Sequence, residues 1–274
     1  MKALLKKWLL LSLLRLRKRA GNAAIPALTY HSIDESGSLI SFPTEFFRAQ
    51  VSWLAENGYR SLTASQAAAA LAGKEELASP GVVLTFDDGF RSVRDTAYPI
   101  LAEYGFVATI FVTSGYVGKP CGWDRAPQAP GMELMSWEEI RFLARQGWEI
   151  GGHTLSHAHL TRLGAAELKR EITAGRRILQ EEVGCEVSSF AYPFGEFDQR
   201  CAQLAREAGF CSAWTMEPTI NRPGRELWAL GRFNCDRIRS DSPQTAALAA
   251  QVYLGDCYHY YAFITARWLR VRAG

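Results

Sequence analysis

Apolar residues along this chain keep switching between two periods. Short uninterrupted apolar runs alternate with stretches in which apolar positions recur three and four residues apart, the spacing of one helix face. Residues 25–33, 81–85, 107–112, 148–151, 187–191 and 211–214 are the runs, and their continuous apolarity predicts strands covered on both faces. Helices are predicted between them. One starts near Thr44, carries Phe46, Val51 and Leu54 on one face and closes at Asn57-Gly58; Thr63 caps a second, alanine-rich helix through Leu71. Residues 92–103 form a third, ended by Gly105. A fourth covers 137–145, where Ser136 followed by Glu139 reads as a capping box and Gly147 as the stop. Residues 165–183 and 199–208 complete the series.

Short buried strands separated by amphipathic helices imply right-handed crossovers and a parallel sheet, either open and doubly wound or closed into a barrel. Periodicity does not choose between the two. In both, functional groups collect at the carboxyl ends of the strands. Three segments stand there: 85–89, 153–157 and 192–195. Residues 115–131, rich in glycine and proline, are the longest irregular connection and are expected to wall one side of the resulting cleft.

Composition narrows the setting. The 274 residues, 48% of them apolar, suit one large domain with modest extensions. Net charge is only +3, but the first 33 residues hold seven Lys/Arg and no acid, and residues 257–274 hold Arg267, Arg270 and Arg272 and no acid. Without those ten, 21 basic residues face 28 acidic ones, a balance of −7 that argues against nucleic acid as a partner. The N-terminus opens like a secretory signal, yet Arg15, Arg17, Lys18 and Arg19 follow where a small-residue cleavage site belongs. Trp8 to Leu14 is also far shorter than the roughly 20 residues of a membrane span. A leucine-rich basic segment lying in an anionic membrane interface is the preferred reading, with a helix packed on the domain as the alternative. Six scattered cysteines without a Cys-x-x-Cys pair argue against both a disulfide scaffold and a thiolate metal site, and point to free thiols in the cytosol.

The chemistry lies in two of the three loops. Asp87-Asp88 stands between an apolar run and Gly89, and His153 and His157 are four apart, a spacing that lets both rings face one ion. Catalytic zinc takes three nitrogen or oxygen ligands and keeps a position for water, so two imidazoles and one carboxylate leave the second carboxylate for proton transfer. His159 has no partner at such spacing and reads as structural or supporting.

These residues resemble the NodB-type polysaccharide deacetylases of carbohydrate esterase family 4. Thr85-Phe86-Asp87-Asp88-Gly89 is similar to the first family motif and His153-Thr154-Leu155-Ser156-His157 to the second. Ala191-Tyr192-Pro193-Phe194-Gly195 is similar to the third, with Ala191 where many members carry arginine. The resemblance runs from about Pro26 to Phe233, takes in Tyr30-His31 and Leu230-Gly231-Arg232-Phe233, and is nearest to the branch that includes poly-N-acetylglucosamine deacetylases. It implies an α/β fold, a distorted (β/α) barrel of about seven parallel strands, and metal-dependent removal of N-acetyl groups. Carried onto this chain, it makes Asp88, His153 and His157 the metal ligands and Asp87 the general base, with a backbone N–H near Phe194 on the oxyanion. Zinc is the expected ion, though ligand type does not separate it from cobalt or nickel.

Many members protonate the leaving amine from a late Leu-x-His motif, which this chain lacks. In the branch it resembles, the acid belongs to the Tyr-His segment, which points to His31. Arg232 is expected to replace the missing motif arginine by holding Asp87. Tyr192 and Trp214 are placed with Phe194 on the substrate side, and Trp123 with Trp214 as an apolar wall for a sugar or acetyl group. The expected organisation is a basic leader over 1–24, a deacetylase domain over 25–237 and an aromatic, basic extension over 238–274. The expected activity is deacetylation of an N-acetylated sugar in a bacterial polysaccharide or lipid-linked precursor, in the cytoplasm or at the inner face of its membrane. A degenerate glycan-binding protein and a membrane scaffold are the alternatives.

Overall fold

A computed structural model describes residues 24–123 and 133–236. In chain order its elements are β1 (Ala27–Tyr30), β2 (Ser32–Ile33), β3 (Ser41–Phe42), α1 (Thr44–Glu56), β4 (Arg60–Leu62), α2 (Ala64–Leu71) and β5 (Gly81–Asp88). A π-helical turn at Val93–Ala97 leads into α3 (Tyr98–Glu103), followed by β6 (Thr109–Val112), α4 (Trp137–Arg145), β7 (Glu149–Gly152) and α5 (Ala165–Val183). The last four are β8 (Ser189–Ala191), α6 (Gln199–Glu207), β9 (Ser212–Trp214) and β10 (Phe233–Asn234). The expected basic leader lies outside the described residues, apart from Ala24, as does the aromatic extension. Among the described residues no helix is long and apolar enough to cross a membrane.

Both predicted caps form, and the Thr63 cap is a capping box like that of Ser136. Thr63 Oγ1 accepts the Gln66 N–H and Ser136 Oγ the Glu139 N–H, while the Gln66 and Glu139 side chains accept from the cap residues in return. Such a cap is worth about 1 kcal/mol.

The strand pairings are parallel throughout, as helical crossovers require. Seven strands follow the path β10-β1-β5-β6-β7-β8-β9, and β4 pairs with the first half of β5. The path does not stay open. Trp214 of β9 bridges Leu230, three residues before β10, so segment 230–234 reaches β9 on one side and β1 on the other. The result is the expected distorted barrel.

Side chains alternate across this wall. Ala27, Val83, Phe111, Ala191, Trp214 and Leu230 form the apolar filling of the barrel, while Leu28, Leu84, Phe86, Ile110, Phe190 and Phe233 belong to a larger cluster between sheet and helices. Gly151 is required by this filling: a Cβ there would lie 2.5 Å from the Phe111 ring.

Several elements differ from the sequence reading. The 25–33 run is not one strand, because the chain breaks at His31 between β1 and β2. Strands β4 and β10 are too short to show a period, and the 92–103 helix begins as a π-turn. Most consequentially, β5 continues to Asp88, paired with β6 through Val112, so the two acids end a strand rather than occupy the loop after it.

Candidate metal centre

Strand alternation puts Asp87 on the barrel side, in line with Val83 and Thr85. Asp88 would then point to the helices, but its φ of 75° breaks the extended geometry and returns its carboxylate to the same end of the barrel. The non-glycine residues with positive φ among the described residues are Asp88, Thr154, His157 and Phe194. All four stand at this one site, where costly backbone conformations concentrate when function requires them.

Asp88 Oδ1 lies 3.4 Å from His153 Nε2 and 3.3 Å from His157 Nε2. Ligands about 2.0–2.1 Å from a tetrahedral ion are separated by roughly 3.3–3.4 Å, so the spacing fits such an ion. Asp88 Oδ1 is buried and has no hydrogen-bond partner, which a cation would supply. His153 Nδ1 lies 2.8 Å from the Ala191 carbonyl; donating there leaves Nε2 as the acceptor toward Asp88. Burial alone would raise the Asp88 carboxyl, yet a proton on the neighbouring imidazoles, His157 first, outweighs burial and holds it far below the usual carboxylate range. Burial lowers His157, in the direction of the neutral imidazole that a divalent ion demands.

Asp87 is bound to a different partner. Arg232 Nη1 and Nη2 donate to its two oxygens at 2.7 and 2.8 Å, and Nε donates to the Thr215 carbonyl at 3.0 Å, all fully buried. Burial works to raise the Asp87 carboxyl; the Arg232 guanidinium, helped by His153 and His31, holds it below its ordinary value. The arginine arrives from the segment that closes the barrel.

His31, in the break after β1, is tied by Nδ1 to Asp236 Oδ2 at 2.5 Å. Burial disfavours its charged form, but the Asp236 carboxylate outweighs burial and pushes His31 up to about 9. Asp236 follows β10 and has no spacing relation to His31 from which a sequence could reveal it. Around the triad, Trp123 stacks on His157 at 4.6 Å, and Phe194, with 45% of its surface exposed, packs edge-on against the same ring at 4.6 Å. His159 sits at the rim, stacked on Phe194 and bonded to Glu196 at 2.9 Å.

Two expected substrate residues are not at the surface. Trp214 is fully buried inside the barrel with its indole N–H on Ser212 Oγ, because β9 alternation directs it inward. Tyr192 is likewise buried, its hydroxyl donating to the Trp228 carbonyl behind the sheet. Both are packing residues, leaving Trp123 and Phe194 as the aromatic walls. The described part of the 115–131 connection supplies Trp123; residues 124–132 lie outside the described residues.

The family profile for polysaccharide deacetylases matches residues 74–213. The Bacillus subtilis (strain 168) protein YxkH is 29% identical over 210 residues, covering 77% of this chain and 71% of its own. The poly-β-1,6-N-acetyl-D-glucosamine N-deacetylase of Escherichia coli K12 is 25% identical over 228 residues; these cover 70% of this chain but only 34% of that enzyme. Among solved structures, IcaB from Ammonifex degensii superposes with a TM-score of 0.72 at 28% identity, covering 84% of this chain and 97% of its own.

Proposed function

Because the chain belongs to the polysaccharide deacetylase family of NodB-type hydrolases, carbohydrate esterase family 4, we propose that it removes N-acetyl groups from a poly-N-acetylglucosamine-type glycan. The observation that carries this reading is the buried triad Asp88, His153 and His157, with Asp88 Oδ1 at 3.4 and 3.3 Å from the two imidazoles, next to an Asp87 that a buried arginine keeps ionised. Asp88, His153 and His157 would hold a divalent ion, zinc first, with cobalt and nickel compatible with the same donors. When bound, that ion activates water and polarises the acetyl carbonyl.

The chain's own groups divide the remaining work. Asp87 takes the proton of the attacking water; Arg232 keeps its carboxylate charged and immobile, and each oxygen retains a lone pair after accepting from the guanidinium. The Phe194 backbone N–H, turned by a φ of 60°, is the proposed oxyanion donor. His31, protonated through its contact with Asp236, gives its proton to the leaving amine nitrogen. Trp123 and Phe194 offer faces for a sugar ring.

Peripheral contact with an anionic membrane belongs to the same proposal, supported by seven Lys/Arg, no acid and Trp8 in the leader.

The test is acetate release by zinc-loaded protein from β-1,6-linked N-acetylglucosamine oligomers, with other N-acetylated and lipid-linked sugars in parallel. Release that vanishes in Asp88→Ala and Asp87→Asn supports the reading. Absence of acetate from every substrate would reject it.

A further inference from the structure

We propose that Glu171, on the inner face of α5, is the positioning residue of the metal centre, holding the backbone between His153 and His157 in the one shape that aims both imidazoles at Asp88. This rests on the reading that Asp88, His153 and His157 hold a metal ion.

Within the His153–His157 turn one bond closes the strained pair, the His157 N–H donating to Thr154 Oγ1 at 2.9 Å. Thr154 and His157 have φ of 65° and 60°, and a β-branched residue in the left-handed region is under genuine strain. Something outside the turn must over-determine it. Glu171 is 1% exposed, placed on the α5 face otherwise made of Leu168, Ile172 and Leu179. A buried carboxylate on an apolar face is expensive unless its oxygens are satisfied, and here all its partners are in the turn. Oε2 accepts the Leu155 N–H at 3.1 Å and the Ser156 N–H at 2.9 Å, while Oε1 accepts the Ser156 hydroxyl at 2.7 Å.

Three further hydrogen bonds hold Thr154 and Leu155. The Leu155 N–H is shared with the Glu171 main-chain carbonyl, also at 3.1 Å, and Gly175 one turn later makes that approach possible. A Cβ at Gly175 would lie 2.9 Å from the Thr154 carbonyl carbon. From the other side, the Thr154 and Leu155 carbonyls accept from Ser114 and Gly115 N–H at 3.2 and 2.8 Å. The Glu171 carboxylate bonds to Leu155 and Ser156 and to neither imidazole. Its effect on the centre passes through backbone shape alone.

The test is a cobalt titration against a competing chelator, read by the visible d–d spectrum, on the full chain and three variants. Glu171→Asp keeps the charge but withdraws the carboxylate by one methylene; it is expected to weaken cobalt binding about ten- to hundredfold, the range seen when outer partners of metal ligands are removed. Glu171→Gln still accepts both backbone N–H groups and is expected to recover most of that loss. Leu179→Ala, in the same helix and core, should lower Tm with unchanged cobalt affinity. Equal affinity in wild type and Glu171→Asp, or equal weakening in Leu179→Ala, would overturn the assignment. A wild-type chain that takes up no cobalt would instead reject the metal reading itself.

Discussion

Asp236 approaches His31 from 205 positions away, and the consequence for acid chemistry is specific. A general acid must be protonated to act, and His31 is lifted to about 9 by a carboxylate that outweighs the penalty of burial. Replacing Asp236 by Asn removes that support, so the His31 pKa should fall toward the ordinary 6.5 and the alkaline limb of the kcat/KM profile should move to lower pH with it. An alkaline limb that stays in place would remove His31 from the acid role. Arg232 acts at the other limb. Lysine carries the same charge but not the two-pronged geometry, so Arg232→Lys frees the Asp87 carboxylate to rotate and to bind protons more readily. The expected result is a roughly ten- to hundredfold fall in kcat and an acid limb displaced to higher pH, measured on soluble oligosaccharide. Asp87, His153 and His157 could be picked out from the chain because each belongs to a short motif. Asp236 and Glu171 could not be found that way, although a glutamate at an apolar-face position of α5 is a signal that a helical wheel exposes.

At the scale of elements, most boundaries follow from local chemistry: Thr63 and Ser136 start their helices through side-chain caps, and Gly184, with φ of 74°, ends α5. Where an element touches the site, local propensity misleads. Glycine inside a helix ordinarily costs about 0.5–1 kcal/mol relative to alanine, so Gly175→Ala read from propensity should stabilise α5. The approach of Thr154 and Leu155 reverses the sign. Gly175→Ala is expected to destabilise the protein by about 1–3 kcal/mol, the usual cost of overpacking, and to weaken cobalt binding by displacing the histidine turn. Thermal denaturation and the same chelator competition check both parts; a raised Tm would show that the turn yields freely.

For the whole molecule, the barrel and the Asp88, His153 and His157 triad lie within the described residues, whereas the basic leader is proposed to govern where the enzyme works. A chain lacking residues 1–24 should deacetylate soluble oligosaccharide as the full chain does, yet cease to sediment with anionic vesicles. Lost activity on soluble substrate would instead give the leader a part in catalysis. By itself the sequence determined the strand–helix alternation, the caps and the Asp-Asp and His-x-x-x-His pairs, because these depend on neighbours within a few positions. Only the tertiary structure decided which way Asp88 turns, that Trp214 and Tyr192 serve packing, that Arg232 grips Asp87 with both terminal nitrogens and that Asp236 reaches His31. Those contacts exist because β10 enters beside β1 and closes the barrel, and closure is a property of how strands meet, which no local period of apolar residues encodes.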